Sequence, residues 1–145
     1  MIAIGCDHGG FELKESVIKH LKDLGKEVKD YGCYNKDSVD YPDIACALCP
    51  DVVKGNLEFG ILICGTGIGI SIAANKHKGI RAALCSDPFS AKMTKIHNNA
   101  NVIAMGGRVI GPELANAIVD AYIGAEYEGG RHQKRIDKIT NIENE

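Results

Sequence analysis

Short apolar runs alternate with longer amphipathic stretches along the whole chain, in the order typical of strands and helices that build a parallel sheet. Each apolar run is followed by a turn signal and then by helical periodicity. The predicted strands are Met1 to Cys6, Glu27 to Tyr31, Phe59 to Cys64, Ile80 to Leu84 and Val102 to Met105. The pattern predicts an α/β fold, a three-layer α/β/α sandwich with a Rossmann-like five-stranded parallel sheet.

The amphipathic stretches predict the helices that cover this sheet. The first ends at Gly25 and carries four apolar side chains on one face, Leu13, Val17, Leu21 and Leu24. The second runs from Tyr41 to about Val53, and Pro50 should kink or split it because proline removes an internal hydrogen bond. The remaining helices are predicted at Gly69 to Lys76, Pro88 to Ile96, Pro112 to Ile123 and, as an extra C-terminal helix followed by frayed residues, Gly130 to Ile139.

Composition and charge limit the classes of partner. The chain has 145 residues, 45% hydrophobic and 25% charged, so a single domain over residues 1–145 is expected. Its formal net charge of -2 gives no positive field, and we expect neither nucleic acid nor a membrane as partner. The N-terminus lacks a signal-peptide layout and no apolar run reaches a membrane span, so a cytoplasmic location with six free thiols is expected.

The strongest chemical signal is the loop after the third predicted strand, Gly65-Thr66-Gly67-Ile68-Gly69. Alternating glycines let backbone amides converge at the start of a helix, which favours the binding of phosphate or a developing oxyanion. A tight turn with close packing explains one or two of the glycines, whereas three alternating ones indicate function. The loop has neither the ending of a P-loop nor the spacing of a dinucleotide motif.

Cys64 lies at the strand end immediately before this loop, where the start of a helix favours a reactive thiolate. A cysteine on a buried strand is otherwise a small hydrophobic residue. The segment from Gly60 to Ser86 contains no Asp or Glu, so any base contributed locally by the loop must be Cys64.

Polar residues at other element ends are further candidates. Asp7 and His8 follow the first strand, and Arg108 follows the fifth. His97 and Asn98 are expected between the fourth helix and the fifth strand, at an edge where a histidine could transfer protons near neutral pH. For His97 and Asn98 the alternative to a role in chemistry is an ordinary structural role at a helix terminus.

Three further signals are ambiguous. Arg131 and Arg135 are four residues apart on one helix face, where two guanidiniums could hold a phosphate, although a solvated basic helix end would look similar. Asp87 could hold a ribose in a nucleotide site or simply cap the helix that begins at Pro88. The Cys-x-x-Cys at residues 46–49 lies inside an apolar helix without a second pair, so packing rather than metal binding is expected.

Five segments together closely resemble the type B ribose-5-phosphate isomerases, in the family shared with galactose-6-phosphate isomerase subunits. They are Cys-Asp-His-Gly-Gly at 6–10, Ile-Cys-Gly-Thr-Gly-Ile-Gly at 63–69, His-Asn at 97–98, Gly-Gly-Arg at 106–108 and Gly-Gly-Arg-His-Gln-x-Arg at 129–135. The resemblance covers nearly the whole chain in the family's order and spacing. It implies an aldose–ketose isomerase that interconverts ribose 5-phosphate and ribulose 5-phosphate through an enediolate.

The resemblance also implies that no metal or organic cofactor takes part and that a homodimer combines residues of both subunits in each site. Cys64 would be the base, and the amides of Gly65 to Gly69 with Thr66 would stabilise the enediolate. His97 would open the furanose ring. The other substrate-binding residues would be Asp7 and Asn98 on hydroxyls and His8, Arg108, Arg131 and Arg135 on the phosphate.

The sequence leaves the sugar open, since allose 6-phosphate and galactose 6-phosphate differ from the pentose only in chain length and hydroxyl configuration. A flavin- or nucleotide-binding module on the same fold is the competing class, because of the glycine loop and Asp87. A phosphoreceiver-like domain is excluded, because the third strand ends in Cys64 where that function requires an aspartate.

Overall fold

The computed structural model describes residues 1–145 and contains one sheet of five parallel strands. The strands are β1 (Ile2–Cys6), β2 (Val28–Asp30), β3 (Gly60–Cys64), β4 (Ala82–Leu84) and β5 (Val102–Gly106). Their order across the sheet is β2-β1-β3-β5-β4, so the chain reverses its direction of winding between β1 and β3. All five predicted strands are present, and the expected parallel α/β fold is confirmed.

Six α-helices cover the two faces of this sheet. They are α1 (Phe11–Asp23), α2 (Tyr41–Val53), α3 (Ile68–Asn75), α4 (Pro88–Asn98), α5 (Pro112–Ile123) and α6 (Arg131–Glu143), and a 3₁₀ turn at His8–Gly10 precedes α1. None of the helices combines the length and the apolar composition that crossing a bilayer requires.

Alternation along the strands divides the core into two halves. Successive side chains of a strand point to opposite faces, so Ile61 and Ile63 pack with α1, α4 and α5, whereas Leu62 and Cys64 pack with α2 and α3. The three central strands β1, β3 and β5 are buried along their whole length, as expected for a parallel sheet covered on both faces. The thiol of Cys64 therefore lies on the α2 and α3 side, at the end of a central strand.

Three predicted details of α1 and α2 differ from the structure, the split of α2 at Pro50 among them. Leu24 lies just beyond α1 and is 48% exposed, so it does not extend the apolar face. Helix α2 runs through Pro50 without a break, because Pro50 lies in its last turn and the carbonyl that loses a partner belongs to the exposed Cys46. Cys46 is consequently not a packing residue, whereas Cys49 is fully buried.

The C-terminal ends of α4 and α6 also differ from the prediction. Helix α4 continues to Asn98, so His97 and Asn98 form its last turn rather than follow it. Helix α6 continues to Glu143 instead of fraying after Ile139, because the Glu143 carboxylate accepts a hydrogen bond from the amide of Gly79 at 3.1 Å. This contact holds the last turn of α6 against the segment before β4.

The last turn of α4 lies at the opposite end of the strands from Cys64. We call the edge formed by the strand ends Cys6, Cys64, Leu84 and Gly106 the carboxyl edge, and the opposite one the amino edge. Helix α4 connects the carboxyl end of β4 to the amino end of the parallel strand β5, so it runs antiparallel to the strands. Its last turn, with His97 and Asn98, therefore lies at the amino edge.

Candidate active site

Three loops meet at the carboxyl edge through glycines. A Cβ added at Gly107 would lie 2.5 Å from the carbonyl oxygen of Gly9, and one at Gly9 would lie 3.0 Å from the amide nitrogen of Gly65. Only glycine permits so close an approach. The amides of Gly107 and Arg108 also donate to the carbonyls of Cys64 and Gly65 at 2.8 and 2.9 Å. The loops after β1, β3 and β5 thus form one continuous surface.

Cys64 faces the start of α3. Its side chain is buried, and its Sγ accepts a hydrogen bond from the backbone amide of Gly67 at 3.1 Å. Gly67 has a left-handed φ of 82°, and a Cβ there would lie 2.6 Å from Leu84 Cδ1 and 2.7 Å from the carbonyl carbon of Met105. The loop can take this path only with glycine at this position, and the path is what directs the amide at the sulfur.

The remaining amides of the loop are available to an anion. Those of Gly65, Thr66 and Gly69 donate no hydrogen bond within the protein, and they lie at the positive end of α3. The hydroxyl oxygen of Thr66 accepts from the amide of Ile68 at 3.1 Å, so its proton is free to donate to a ligand. Sulfur, amides and hydroxyl together make a base beside an oxyanion cradle.

A cavity of about 230 Å³ lies on the other side of the glycine surface, between the loops after β1 and β5. Its polar lining includes His8, Arg108 and Lys36. Nδ1 of His8 accepts a hydrogen bond from the amide of Val39 at 3.3 Å, which leaves the proton of the neutral ring on Nε2. These donors suit a phosphate group.

Two carboxylates lie at or next to this cavity. Glu12 lines it and pairs with the ammonium of Lys36, which lowers the pKa of that carboxyl through their hydrogen bond. Asp7 is buried, and its Oδ1 accepts from the amide of Gly9 at 2.9 Å, so it starts the 3₁₀ turn and keeps Oδ2 for a ligand. Asp7 and His8 are therefore placed beside the Cys64 loop as expected.

The predicted position of His97 and Asn98 in the same crevice is wrong for a single chain. They lie at the amino edge, and a strand of five residues such as β3 spans about 16 Å. Helix α6 begins beside them, because the amide of Glu128 donates to the carbonyl of Ile96 at 3.1 Å. The candidate residues thus form two groups, of which the amino-edge group comprises His97, Asn98, Arg131 and Arg135.

The amino-edge group is partly exposed. His97 is half-buried and stacks on His132, with ring centroids 4.6 Å apart. Arg131 and Arg135 are exposed, and Asn98 borders a cavity of about 400 Å³. This cavity does not include Cys64, and its lining mixes apolar side chains such as Ile80 and Ile139 with polar ones such as Asn75 and Thr94.

Sequence reasoning missed three residues next to the site. Lys36 lies in a loop without periodicity, and no local pattern marks it. Tyr41 packs against the cradle, since a Cβ at Gly69 would lie 2.6 Å from its ring; its position before Pro42 indicates only the start of a helix. His132 belongs to the motif Gly-Gly-Arg-His, but the motif predicted a role only for the two arginines, Arg131 and Arg135.

The alternative functions find little support in the geometry. Asp87 accepts a 2.7 Å hydrogen bond from the amide of Ser90, which makes it the N-cap of α4, and this bond is the main cause of the lowered pKa of its carboxyl. The carboxylate that motivated a nucleotide site is thus already used. No group of three or more His, Cys, Asp or Glu side chains is placed to hold a metal ion.

Comparison with known proteins places the chain among sugar-phosphate isomerases. A family model described as Ribose/Galactose Isomerase matches residues 2–139. Ribose-5-phosphate isomerase B of Escherichia coli (strain K12) is 55% identical over 142 residues, which cover 98% of this chain and 95% of that protein.

Solved structures agree with this placement. Clostridium thermocellum Ribose-5-Phosphate Isomerase B superposes with a TM-score of 0.97 at 50% identity, covering 99% of this chain and 97% of that one. Ribose-5-phosphate Isomerase B from Mycoplasma genitalium, solved with bound ribulose-5-phosphate, gives a TM-score of 0.94 at 43% identity, covering 99% and 96%.

Proposed function

The chain belongs to the ribose/galactose isomerase family, and on that basis we propose that it interconverts ribose 5-phosphate and ribulose 5-phosphate in the cytoplasm as one domain. The proposal rests mainly on one observation: the amide of Gly67 donates a hydrogen bond to the sulfur of Cys64, and the neighbouring amides of the same loop have no hydrogen-bond acceptor within the protein. Aldose–ketose isomerisation needs a base and an oxyanion cradle next to each other, and this loop supplies both.

The reaction runs as two proton transfers at carbon, to and from Cys64, and one proton transfer from O2 to O1. The thiolate of Cys64 removes the proton from C2 of the open-chain aldose, and the C1 carbonyl oxygen takes up the negative charge of the enediolate. The amides of Gly65 and Gly69 and the hydroxyl of Thr66 stabilise that charge, and one such preorganised donor contributes about 3 kcal/mol in the transition state. Cys64 then returns the proton to C1, and the proton of the O2 hydroxyl passes to O1, which leaves a carbonyl at C2 and a hydroxyl at C1, the 2-ketose.

The phosphate supplies binding energy remote from the reacting carbons. His8 and Arg108 line the cavity next to the cradle, and Lys36 lies at its rim. Asp7 accepts from a hydroxyl of the sugar through its free oxygen. The base and the phosphate anchor thereby hold the sugar from its two ends, which fixes C1 and C2 at the sulfur.

The remaining donors come from a second copy of the chain. His97, Asn98, Arg131 and Arg135 lie at the amino edge of their own subunit, away from Cys64. A two-fold dimer that sets the amino edge of one subunit against the carboxyl edge of its partner completes two identical sites. His97 of one subunit then protonates the ring oxygen of the furanose bound by the other, and the two arginines close on its phosphate.

The direct test is steady-state turnover of a panel of sugar phosphates by the purified protein. We expect the highest kcat/KM with ribose 5-phosphate, a smaller value with allose 6-phosphate and the smallest with galactose 6-phosphate. A clear preference for galactose 6-phosphate would make the chain a galactose-6-phosphate isomerase subunit instead. Absence of turnover with every sugar, accompanied by thermal stabilisation with mononucleotides, would favour the nucleotide-binding alternative.

A further inference from the structure

His97 does not stand alone at the end of α4. Its imidazole stacks on that of His132, the first buried side chain of α6, with ring centroids 4.6 Å apart and planes inclined by 21°. Offset-stacked rings at this distance attract each other beyond the effect of burial. One face of the His97 ring is therefore covered, and only its other face and its edge are open to a ligand.

The second ring is itself held in place. His132 is only 5% exposed, and its Nε2 has no hydrogen-bond partner. This nitrogen lies 3.5 Å from Oε1 of Glu128, the residue whose backbone amide donates to the carbonyl of Ile96. The start of α6 is thus tied to the residue before His97 through the backbone and to His97 itself through the ring.

A buried histidine with an unpartnered nitrogen is unfavourable for stability alone, since a buried polar atom without a hydrogen bond costs about 1–3 kcal/mol. An apolar side chain would fill the same position without that cost. The arrangement is explained if the flat aromatic face is what the position requires. A stacked ring fixes both side-chain torsions of His97, which a histidine in an exposed last turn would otherwise sample freely.

We propose that His132 is a positioning residue for ring opening, which holds the imidazole of His97 in the orientation that delivers a proton to the furanose oxygen. This inference rests on the proposed function, in which His97 is the acid. His132 acts through the stack and needs no contact with the sugar. Its loss therefore slows ring opening and leaves the proton transfer at Cys64 unaffected.

Ring opening can be observed without isomerisation in a Cys64→Ala background. Without the base, bound ribose 5-phosphate can still open and close, and each cycle exchanges its α and β anomers. Exchange NMR of ribose 5-phosphate labelled with ¹³C at C1 measures that rate. The set consists of Cys64→Ala alone and combined with His97→Ala, His132→Ala, His132→Phe or Ile136→Ala.

We expect Cys64→Ala to accelerate anomer exchange, His97→Ala to abolish the acceleration and His132→Ala to reduce it by about tenfold, the value of one aromatic stack. His132→Phe keeps the ring and should restore most of the rate. Ile136→Ala removes the other buried side chain of α6 and loosens its docking but keeps both stacked rings, so it should leave the rate nearly unchanged.

The outcomes separate the two proposals. If His97→Ala leaves exchange intact, the role of His97 in the proposed function is wrong. If His97→Ala abolishes exchange while His132→Ala matches its background, the positioning role is wrong. It is equally wrong if Ile136→Ala slows exchange as much as His132→Ala, or if His132→Phe fails to rescue, because docking of α6 or the imidazole nitrogen would then explain the effect.

Discussion

The backbone amide of Gly67 donates a 3.1 Å hydrogen bond to Sγ of Cys64, across the turn from β3 to α3. The sulfur therefore lies among the same amides that face the developing oxyanion in the proposed mechanism. In that mechanism the negative charge moves from sulfur to oxygen during proton abstraction without leaving this cradle. Little reorganisation of dipoles is needed at that moment, which is the condition under which such dipoles are most effective.

Removal of the thiol should abolish chemistry and spare binding. We expect Cys64→Ala to lower kcat by about a thousandfold, because a positioned base contributes that much, and to leave the Kd of ribose 5-phosphate from calorimetry nearly unchanged. Cys85→Ala is the matched control, since Cys85 is also buried and directly follows a parallel strand. Comparable loss of kcat in both variants would show that burial of a cysteine, and not its chemistry, is required.

Two inactive variants should complement each other. In the proposed dimer each site combines Cys64 of one subunit with His97 of the other, so a mixed dimer of Cys64→Ala and His97→Ala would contain one intact site. After unfolding and refolding together in equal amounts, activity should return to about a quarter of the wild-type value, because half the dimers are mixed and one of their two sites is intact. Activity no higher than the mean of the separate variants would place both residues in one subunit.

Loss of a guanidinium on α6 should weaken the grip on phosphate. We expect Arg135→Ala to raise KM for ribose 5-phosphate by about tenfold, because a charge-assisted hydrogen bond to phosphate is lost, with kcat little changed. Lys138→Ala removes a different exposed cation of the same helix and should leave KM within about twofold of wild type. An equal rise of KM in the two variants would indicate a general effect of charge.

The turn before α3 should not accept a side chain. Gly67 and Gly55 have nearly the same φ, 82° and 84°, but a Cβ at Gly55 meets nothing within 4 Å. Gly55→Ala should therefore cost only the left-handed strain of about 1–2 kcal/mol. Gly67→Ala adds steric overlap worth about 1–3 kcal/mol and should also lower kcat. Urea unfolding and initial rates of the two variants measure both effects, and equal destabilisation would contradict the packing argument.

Stability should fall in alkaline solution partly through Cys49. Burial raises the pKa of its thiol from 9.0 to about 12, so the folded state favours the neutral form. This contribution is fully present below about pH 9 and is lost as pH rises toward 12. Cys49→Ala should therefore flatten the fall in free energy of unfolding between about pH 9 and pH 12. Cys46→Ala, at an exposed position of the same helix, should retain the wild-type slope.

The sequence predicted the strands and the carboxyl-edge loops because these depend on local patterns. Alternation and turn residues locate β3, and the glycines after it have a local conformational reason. The position of His97 required tertiary information, because the direction of α4 relative to the sheet decides which edge its last turn reaches. Lys36 and Tyr41 approach the site only through packing of their loop and helix, which leaves no periodic trace.

Gly9, Gly65 and Gly107 touch through backbone atoms alone. No side chain fits between these three turns. A Cβ at one of them would displace the other two and, with them, the loop that holds the sulfur of Cys64. Substitutions that change the preference toward longer or differently configured sugars therefore cannot occur at these three glycines. Such change must begin at the perimeter of the pocket, at positions such as Tyr41 and Lys36, whose side chains approach the loops without taking part in the backbone contacts between them.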